Sequence, residues 1–357
     1  MKAPEGIVLL SVPFTAGVAV AAALRLGPAA GALCLAGAAG CFVAIARLKG
    51  RSILAAALLF VFLGALSWSA AGPPSGGHST HGYTERSLRE FSAIISRVPF
   101  PHPATGALLR ALFTGQRDLL DRSTVRSFRA AGASHILALS GLHLGIIYLI
   151  LSKILSFLGN SRTAWIVRSA LTVLCCGFYT LMTGAGPSIV RAFLFIAISE
   201  IARNCPGRRK PPLNVWCTAL LLQLAAKPSV ITSPGFQLSY MAMLGIFVLL
   251  PVLKGWYPSA GAAADRWDPF HRIWDAMALA ISCQAFTAPL AWIHFHSCPK
   301  YFLLSNIVSL PLTSALMFSG TACIAAESLG IRPHILICLT DWLAETLRQS
   351  LAIIAGM

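Results

Sequence analysis

Long apolar runs recur along this sequence from one end to the other, and they restrict what the chain can fold into. Hydrophobic residues make up 56% of the 357 residues, and charged residues only 11%. A run of about 18 to 25 apolar residues is long enough to cross the bilayer as a helix, and a spanning helix satisfies its own backbone hydrogen bonds in lipid. The sequence therefore predicts an all-α, polytopic membrane protein, a bundle of about 10 to 11 transmembrane helices.

The apolar runs and the polar stretch between them divide the chain into three parts. Residues 1–71 are predicted to form the first transmembrane helices, residues 72–130 an extracytoplasmic linker with short surface helices at 84–98 and 102–130, and residues 131–357 a transmembrane core. The linker is indicated by the Gly-, Pro- and Ser-rich string AGPPSGGHSTHGYTERS. The predicted spans are residues 6–24, 28–46, 52–71, 131–155, 163–184, 187–204, 212–227, 235–253, 273–295, 301–325 and 334–355.

The positions of the basic residues predict the orientation in the membrane. Lys and Arg number 28 against 12 Asp and Glu, and two basic clusters, at 47–51 and 203–210, lie in short loops. Short cytoplasmic loops carry an excess of Lys and Arg. We therefore expect the N-terminus in the cytoplasm, residues 72–130 outside, and the loop at 254–272 inside again.

Both end segments leave alternatives open. The first apolar run could be a signal peptide, but its length and the spans that follow favour a retained helix. In the last predicted span, Asp341, Glu345 and Arg348 form a charged face at i, i+4 and i+7. This segment, 334–355, either spans the membrane, lies along its surface or faces a water-filled cavity.

The sequence indicates no metal site, cofactor or disulfide framework. The ten cysteines are scattered without a C-x-x-C pair. His294 and His296 stand two residues apart, which does not place them on one helical face, and no carboxylate accompanies them. The phosphate-binding pattern G-x-x-x-x-G-K-[ST] is absent. We therefore predict no cofactor, and no ATPase activity in this chain.

The stretch SHILALSGLHLGIIYLIL, residues 134–151, carries polar side chains at membrane depth. On one continuous helix, His135, Ser140 and His143 would share an arc, while Gly141 and Gly145 would form a stripe that lets another helix approach closely. The polar arc predicts either hydrogen bonding between helices or the lining of a pore or cavity.

A second polar feature is the string TGAGPSIVRAF, residues 183–193. Pro187 suits the first turn of a helix, and the free N–H groups of such a helix start attract anions. Ser188 and Arg191 follow at i, i+3. Because an arginine at membrane depth is costly unless it pairs, reaches the headgroups or meets water, Arg191 is predicted to be functional or to extend to the outer headgroups.

Two further groups complete the candidate residues. Gln237 and Tyr240, in FQLSYMAMLGI, stand at i, i+3 near the start of a span, where ordinary interhelical hydrogen bonding is an alternative to a functional role. In the outer region, Arg122, Arg126 and Arg129 fall on one side of a predicted helix. They are expected either to reach lipid phosphates or to gather an anionic polymer.

Several of these stretches, in the same order, resemble the competence domain of the ComEC family, the inner-membrane channel for DNA uptake in naturally transformable bacteria. The matching strings are FRAAGASHILALSGLHLGI, TGAGPSIVRAF, FQLSYMAMLGI, CQAFTAPLAWIHF and LLSNIVSLPL. The similarity covers roughly residues 95–357. Fuller members of the family also carry an OB-type domain and a metallo-β-lactamase-like domain. We expect this chain to correspond to the membrane core alone, without nuclease activity.

The resemblance implies a channel for single-stranded DNA in the bacterial cytoplasmic membrane. The partners that it implies are the lipid bilayer, single-stranded DNA, and DNA-receptor, nuclease and motor proteins on separate chains. Arg122, Arg126 and Arg129 are then expected to collect the strand. The expected DNA path comprises His135, Ser140, His143, Ser188, Arg191, Gln237 and Tyr240, and Gly141 and Gly145 are expected to serve helix packing.

Three other functions remain open from the sequence. Ser140 before Gly141 is similar to the G-x-S-G of rhomboid-like intramembrane proteases, with His294 or His296 as base, although Ala138 replaces the first glycine. A small-solute permease would have broken helices that meet at an enclosed site. The chain could also be a partial channel protein without activity.

Overall fold

A computed structural model of the protein describes residues 6–47, 53–71, 82–159, 161–204, 211–257, 268–296 and 301–356. Regular secondary structure in these ranges is helical, and no strand occurs in them. The α-helices are α1 (Gly6–Ala23), α2 (Pro28–Arg47), α3 (Ile53–Ala71), α4 (Gly82–Arg97), α5 (Pro103–Thr114), α6 (Arg122–Ala130), α7 (Ser134–Leu137), α8 (Gly141–Ile154), α9 (Arg162–Met182), α10 (Pro187–Asn204), α11 (Pro212–Ala226), α12 (Pro234–Val248), α13 (Leu250–Lys254), α14 (Pro269–Phe295), α15 (Phe302–Ser328) and α16 (His334–Gly356). Two 3-10 helices, Leu155–Leu158 and Pro228–Thr232, follow α8 and α11.

Among the described residues, five helical segments are long and apolar enough to cross a membrane. They are α3, α8 with its 3-10 extension, α9, α14 and α15, and shorter apolar helices lie within α1, α2, α11 and α12. The predicted all-α, polytopic membrane fold is therefore confirmed. The total of about 10 to 11 spanning helices stays a prediction.

Within 102–130, where short surface helices are predicted, Gly115 ends α5 in the left-handed conformation, with φ of 76°, and α6 begins at Arg122. Two segments predicted as continuous helices are interrupted, so those predictions were wrong. The segment 235–253 divides into α12 and α13 just before Pro251, which has no backbone N–H to continue a helix. The segment 131–155 is interrupted between α7 and α8.

The first of two compact units comprises Met1–Ser79 and Leu194–Tyr240. Its buried side chains come from α1, α2, α3, α11 and the start of α12, and α1 packs against both α3 and α11. The main members of this core are Phe14, Val18, Ala65, Trp68, Leu224 and Phe236.

Glycines bring α1 and α3 into backbone contact. A Cβ added to Gly17 would overlap the carbonyl of Val61, and a Cβ added to Gly64 would overlap the carbonyl of Phe14. Without side chains between them, the two helices approach closely enough for dispersion contacts along both backbones, as small residues allow in membrane helix pairs. This pair of glycines was not predicted from the sequence.

The second unit comprises Thr80–Phe193 and Met241–Met357. In it α15 packs along α16, α6 lies on α16, and α5 contacts α4, α15 and α16. Its fully buried side chains include Leu108, Leu112, Phe128, Leu316, Met317 and Leu347. The helices α4 to α6 therefore share one hydrophobic core with α15 and α16.

Asp341 of α16 holds the start of α5. Its carboxylate accepts hydrogen bonds from the backbone N–H of His102 at 3.1 Å, from the Thr105 hydroxyl at 2.6 Å and from Nδ1 of His102 at 2.7 Å. His102 is the N-cap residue of α5 but makes no capping bond with its own side chain. Asp341 thus supplies the negative charge that a helix start favours. Because Asp341 is only 5% exposed, this residue of the predicted charged face points into the protein.

We expect the Gly17→Ala substitution to lower the free energy of unfolding by about 1 to 3 kcal/mol, because the added methyl group forces α1 and α3 apart. Gly40→Ala in α2 is the matched control. A Cβ at Gly40 meets no described atom within 4 Å, so this change should be neutral or slightly stabilising. Unfolding of both variants in mixed micelles measures the difference, and equal stabilities would contradict the close contact.

We expect the contribution of His102 to stability to depend on pH. The hydrogen bond and charge of Asp341 raise the pKa of His102 above its usual 6.5. Since the folded pKa is the higher one, the stabilisation is complete below about pH 6.5 and is lost as the pH rises through the folded pKa. The difference in melting temperature between wild type and His102→Asn should therefore shrink as the pH rises from about 6 to about 9.

The control for this titration is His334→Asn, which removes an exposed histidine from α16. No ion pair of His334 is found among the described residues, so this variant controls for the loss of a histidine that has no carboxylate partner there. A pH-independent effect of His102→Asn would contradict the ion pair with Asp341.

Candidate functional site

The interruption between α7 and α8 is the central feature of the predicted site. Ala138 and Ser140 are extended, with ψ of 133° and 170°, and α8 begins at Gly141. His135 and His143 therefore lie on different helices. The prediction that His135, Ser140 and His143 share one face of a continuous helix was wrong, because Ser140 ends the interruption as the N-cap of α8.

A capping box fixes the start of α8. The Ser140 hydroxyl accepts a hydrogen bond from the Leu142 N–H at 3.3 Å, and the Ser140 N–H donates to Nδ1 of His143 at 3.2 Å. The Ser140 hydroxyl also lies 2.9 Å from this Nδ1. Ser140 thus satisfies helix N–H groups that would otherwise lack partners. The histidine within its reach stands on the same helix, not on another one as an intramembrane protease would need.

The capping box also determines which nitrogen of His143 carries the proton. Nδ1 accepts from the Ser140 N–H, so the proton of the neutral imidazole is on Nε2. His143 is completely buried, and its Nε2 has no hydrogen-bond partner among the described residues. His143 therefore presents a buried N–H donor that could bind a water molecule or an anionic oxygen.

Three more unpartnered polar atoms lie on α15, the helix that packs against α8. They are Oδ1 of Asn306, Oγ of Ser309 and Oγ1 of Thr313, and no partner of theirs occurs in the described ranges. Their spacing at i, i+3 and i+7 places them on one face. Ser and Thr in helices commonly donate to the carbonyl four residues earlier, as Thr321 of the same helix does to Met317.

This polar face of α15 is costly for the folded state. Each buried polar atom without a partner costs about 1 to 3 kcal/mol. Pro311 adds to the cost because it removes the N–H that would satisfy the carbonyl of Ile307. A cluster of such atoms marks a place that water or a polar ligand would fill. These residues were not predicted as site residues, although their helical spacing is visible in LLSNIVSLPLTS.

Arg191 meets the start of α8. Pro187 is the first residue of α10, as predicted, and it places the half-buried Ser188 and the buried Arg191 in the first turns. A Cβ on Gly141 would stand 3.2 Å from Nη2 of Arg191. The guanidinium therefore lies against the first residue of α8, where the helix dipole is also positive. Its charge also acts on Cys283 of α14.

The small-residue contact of α8 involves only one of its two predicted glycines. Gly141 faces Arg191 and Ala192 of α10, whereas a Cβ on Gly145 would meet no described atom within 4 Å. The predicted packing role of Gly145 is therefore not found, and the surface around this residue is open among the described parts of the chain.

Arg117 contacts the short helix α7. It donates from Nε to the carbonyl of Leu137 at 3.0 Å and so satisfies the C-terminal end of α7. Its charge also interacts with that of Arg129. His135, on α7 itself, is exposed. Arg117 was not predicted as a site residue, because its contact joins residues that are twenty positions apart.

The three predicted collecting arginines lie on α6. Arg122, Arg126 and Arg129 are exposed, whereas Thr124 and Phe128 of the same helix are buried against the core. None of the three arginines forms an ion pair in the described part of the chain. Together with Arg117, they give this end of the second unit a concentrated positive charge.

Gln237 and Tyr240 belong to the first unit. The Gln237 side chain donates to the carbonyl of Ile231 at 2.8 Å, and the Tyr240 hydroxyl donates to the amide oxygen of Gln223 at 2.9 Å. Tyr240 is also part of the buried core of this unit. Both side chains thus make the interhelical bonds that the sequence left open as an alternative, and a role in lining a path stays a prediction.

Metal chemistry receives no support from the described residues. Within those ranges, no group of three or more His, Cys, Asp or Glu side chains is placed to hold a metal ion. The site consists instead of hydrogen-bond donors, hydroxyl groups and guanidinium groups. Such a set can bind phosphate or carboxylate oxygens reversibly.

We expect the Ser140→Ala substitution to cost about 1 kcal/mol of stability, as the loss of an N-cap does, and to remove the hydroxyl that lies 2.9 Å from Nδ1 of His143, while the backbone N–H stays. Ser161→Ala is the matched control, because Ser161 caps α9 by accepting from the Ala164 N–H at 3.1 Å without a histidine. Nitrogen NMR of labelled imidazoles should show a changed Nδ1 environment in Ser140→Ala alone. An unchanged His143 signal would contradict the capping box.

Comparison with known proteins places this site within a defined family. The model of the family described as "Competence protein" matches residues 112–357. This range includes the interruption at α7 and α8, the start of α10 and the polar face of α15. No solved structure matches the chain.

Two curated proteins are also similar in sequence to this chain. ComE operon protein 3 of Bacillus subtilis is 25% identical over 242 residues, which cover 68% of this chain and 28% of the relative. The uncharacterized protein YcaI of Escherichia coli is 23% identical over 234 residues, which cover 64% of this chain and 30% of the relative. The matched part thus spans less than a third of either relative. Because the family match covers well over half of the chain, the protein belongs to the competence protein family.

Proposed function

We propose that this protein forms a channel for single-stranded DNA across the bacterial cytoplasmic membrane during natural transformation. Membership of the competence family and the apolar helices support this function. The observation that carries the proposal is the set of buried polar atoms at the interruption of α8 and on the facing helix α15. A protein that only had to be stable in lipid would replace these atoms by apolar ones.

A DNA strand brings one negative charge per phosphate, and a bare charge in hydrocarbon is prohibitively costly. A route across the membrane must therefore offer donors and water at every step. Nε2 of His143, the hydroxyls of Ser309 and Thr313, and the guanidinium of Arg191 are groups of this kind. They can hold a phosphate without sequence preference and release it again.

The described state is closed at this place, because His143 is fully buried and Arg191 is only 9% exposed. In our proposal, α8 moves away from α15 to admit the strand, and the unpartnered atoms then bind water and phosphate. The cost of leaving them unpaired in the closed state lowers the free energy needed for opening. His135, Ser188, Gln237 and Tyr240 remain candidates for other parts of the path.

Arg122, Arg126 and Arg129 would collect the strand before it enters. Their charges are exposed and without ion pairs among the described residues, so they can exchange condensed counterions for phosphate. The chain acts as a transporter rather than an enzyme in this proposal. Its N-terminus lies in the cytoplasm. The driving force comes from the membrane potential or from a motor protein, and receptor and nuclease functions belong to other polypeptide segments or partners.

A small-solute permease is the second candidate function. The interrupted helix α7 and α8, which meets a buried arginine, resembles the broken helices at the enclosed binding sites of transporters. A permease would bind one anionic solute at Arg191 and Gly141. It would need neither the arginines on α6 nor a continuous route.

The function is tested by deleting the gene in its native host and measuring entry of labelled DNA into a nuclease-protected cytosolic pool. Complementation with wild type should restore import, whereas Arg191→Gln should reduce it about tenfold or more, which corresponds to about 1.4 kcal/mol in the barrier. Arg203→Gln is the matched control on the same helix, because Arg203 is exposed and pairs with Glu200. Unchanged import after deletion would overturn the channel function.

We expect Thr313→Val to raise the free energy of unfolding by about 1 kcal/mol and to reduce DNA import. The substitution keeps the shape of the side chain but replaces an unpartnered buried hydroxyl by a methyl group. The control is Thr321→Val, which removes a hydroxyl that already has a partner and should lower stability without reducing transport. Full import by a stabilised Thr313→Val variant would place α15 outside the path.

A further inference from the structure

A polar cavity of about 200 Å³ lies in the outer helical layer, apart from the site at α8. It is formed by α4, α5 and the turn that follows α5. Its lining residues are Arg89, Ser92, Ala93, Ser96, Arg110 and Gln116. Two guanidinium groups and two hydroxyls thus surround a volume with room for a phosphate group.

Arg110 is oriented in this cavity by an amide. Its Nε donates to Oε1 of Gln116 at 2.8 Å, and the same oxygen accepts from the Ser92 hydroxyl at 3.0 Å. The nearest carboxylate, Asp118, lies 3.5 Å from Nη2 and is largely exposed. The guanidinium is therefore held in place mainly by a neutral partner, and much of its charge remains available to an anion.

Arg89 supplies the second charge at the exposed side of the cavity. In the described part of the chain it forms no ion pair. Arg86, one turn earlier on α4, pairs with Glu90 at 2.9 Å. The two arginines of one helix thus differ: the charge of Arg86 is compensated locally, and the charge of Arg89 is directed to the cavity that Arg110 shares.

We propose that this cavity binds one backbone phosphate of single-stranded DNA, before the strand reaches the interruption at α8. The inference rests on the proposed channel function and names a binding site for its substrate. Two guanidinium groups that line one cavity suit a phosphate, since each can donate two parallel hydrogen bonds. Contacts to a phosphate carry no information about the base, which agrees with binding of any sequence.

A lipid headgroup presents the same phosphate chemistry, but the walls argue against it. Ala93 is the only apolar residue of the lining, so the walls offer an acyl chain few apolar side chains next to the phosphate. A second cavity, lined by α5, the turn before α6, α6 and α16, has more apolar side chains. Its walls are Pro103, Ala104, Ala107, Leu119 and Leu120, together with Asp121, Thr124 and Arg348. A solute phosphodiester therefore fits the Arg89 and Arg110 cavity better than a phospholipid does.

The test uses the full chain in nanodiscs of zwitterionic lipid, with fluorescence anisotropy of a labelled oligothymidylate at several salt concentrations. We expect the double variant Arg89→Gln/Arg110→Gln to bind about tenfold more weakly. For this variant, the slope of log affinity against log salt concentration should be shallower by about 0.7 for each phosphate that it no longer neutralises. Arg86→Gln, which removes the same charge from the same helix, should change the affinity less than about twofold.

Two single variants keep the result interpretable if the double variant unfolds. Arg89→Gln changes an exposed side chain and should still weaken binding, and Arg110→Lys keeps the charge but loses the forked geometry. Equal affinities of Arg89→Gln and Arg86→Gln would overturn the proposal. So would competition by phosphatidylglycerol vesicles stronger than that by inorganic phosphate and unlabelled oligonucleotide, because the cavity would then be a lipid site.

DNA import in cells separates this inference from the channel function. If deletion of the gene abolishes import but the Arg89→Gln and Arg110→Lys variants import normally, the channel function stands and the cavity is not its phosphate site. If the purified protein binds oligonucleotide through both arginines while deletion leaves import unchanged, the phosphate site stands and the channel function fails.

Discussion

The hydrogen bonds between Ser140 and His143 are the interaction on which the site depends. They end the interruption after α7 and allow α8 to begin at Gly141, the residue against which the Arg191 guanidinium lies. They also leave the proton of neutral His143 on Nε2, inside the protein. One serine therefore determines the course of the backbone, the position of a buried charge and the direction of a buried donor.

The second unit combines this costly polar site with a conventional apolar core. The side chains of Leu108, Leu316 and Leu347 are completely buried. Their burial stabilises the fold and offsets the cost of the unpartnered atoms on α8 and α15. Proteins commonly concentrate such unfavourable features where function requires them. The hydrophobic core that α4 to α6 share with α15 and α16 would hold the rest of the unit in place during the movement of α8 that we propose.

The sequence predicts individual helices well and their interruptions and contacts poorly. Hydropathy indicated 187–204 as a helix, and α10 is Pro187–Asn204, because the length of an apolar run reflects the thickness of the bilayer. The interruption at Ser140 escaped the prediction since a loop inside an apolar run leaves the hydropathy unchanged. Its only local signal is a serine at a helix start. The close crossing at Gly17 and the cavity at Arg110 depend on pairs of distant residues, which a single sequence does not reveal.

The bond between Asp341 and His102 joins residues that are 239 positions apart. Ribosomes add about 5 to 20 residues per second, so the start of α5 waits on the order of tens of seconds for the carboxylate that caps it. During this time α4 to α6 have already been synthesised, while the core that they share with α16 is incomplete. Chains stopped before Asp341 would therefore present quality-control proteases with α5 uncapped and this core unfinished.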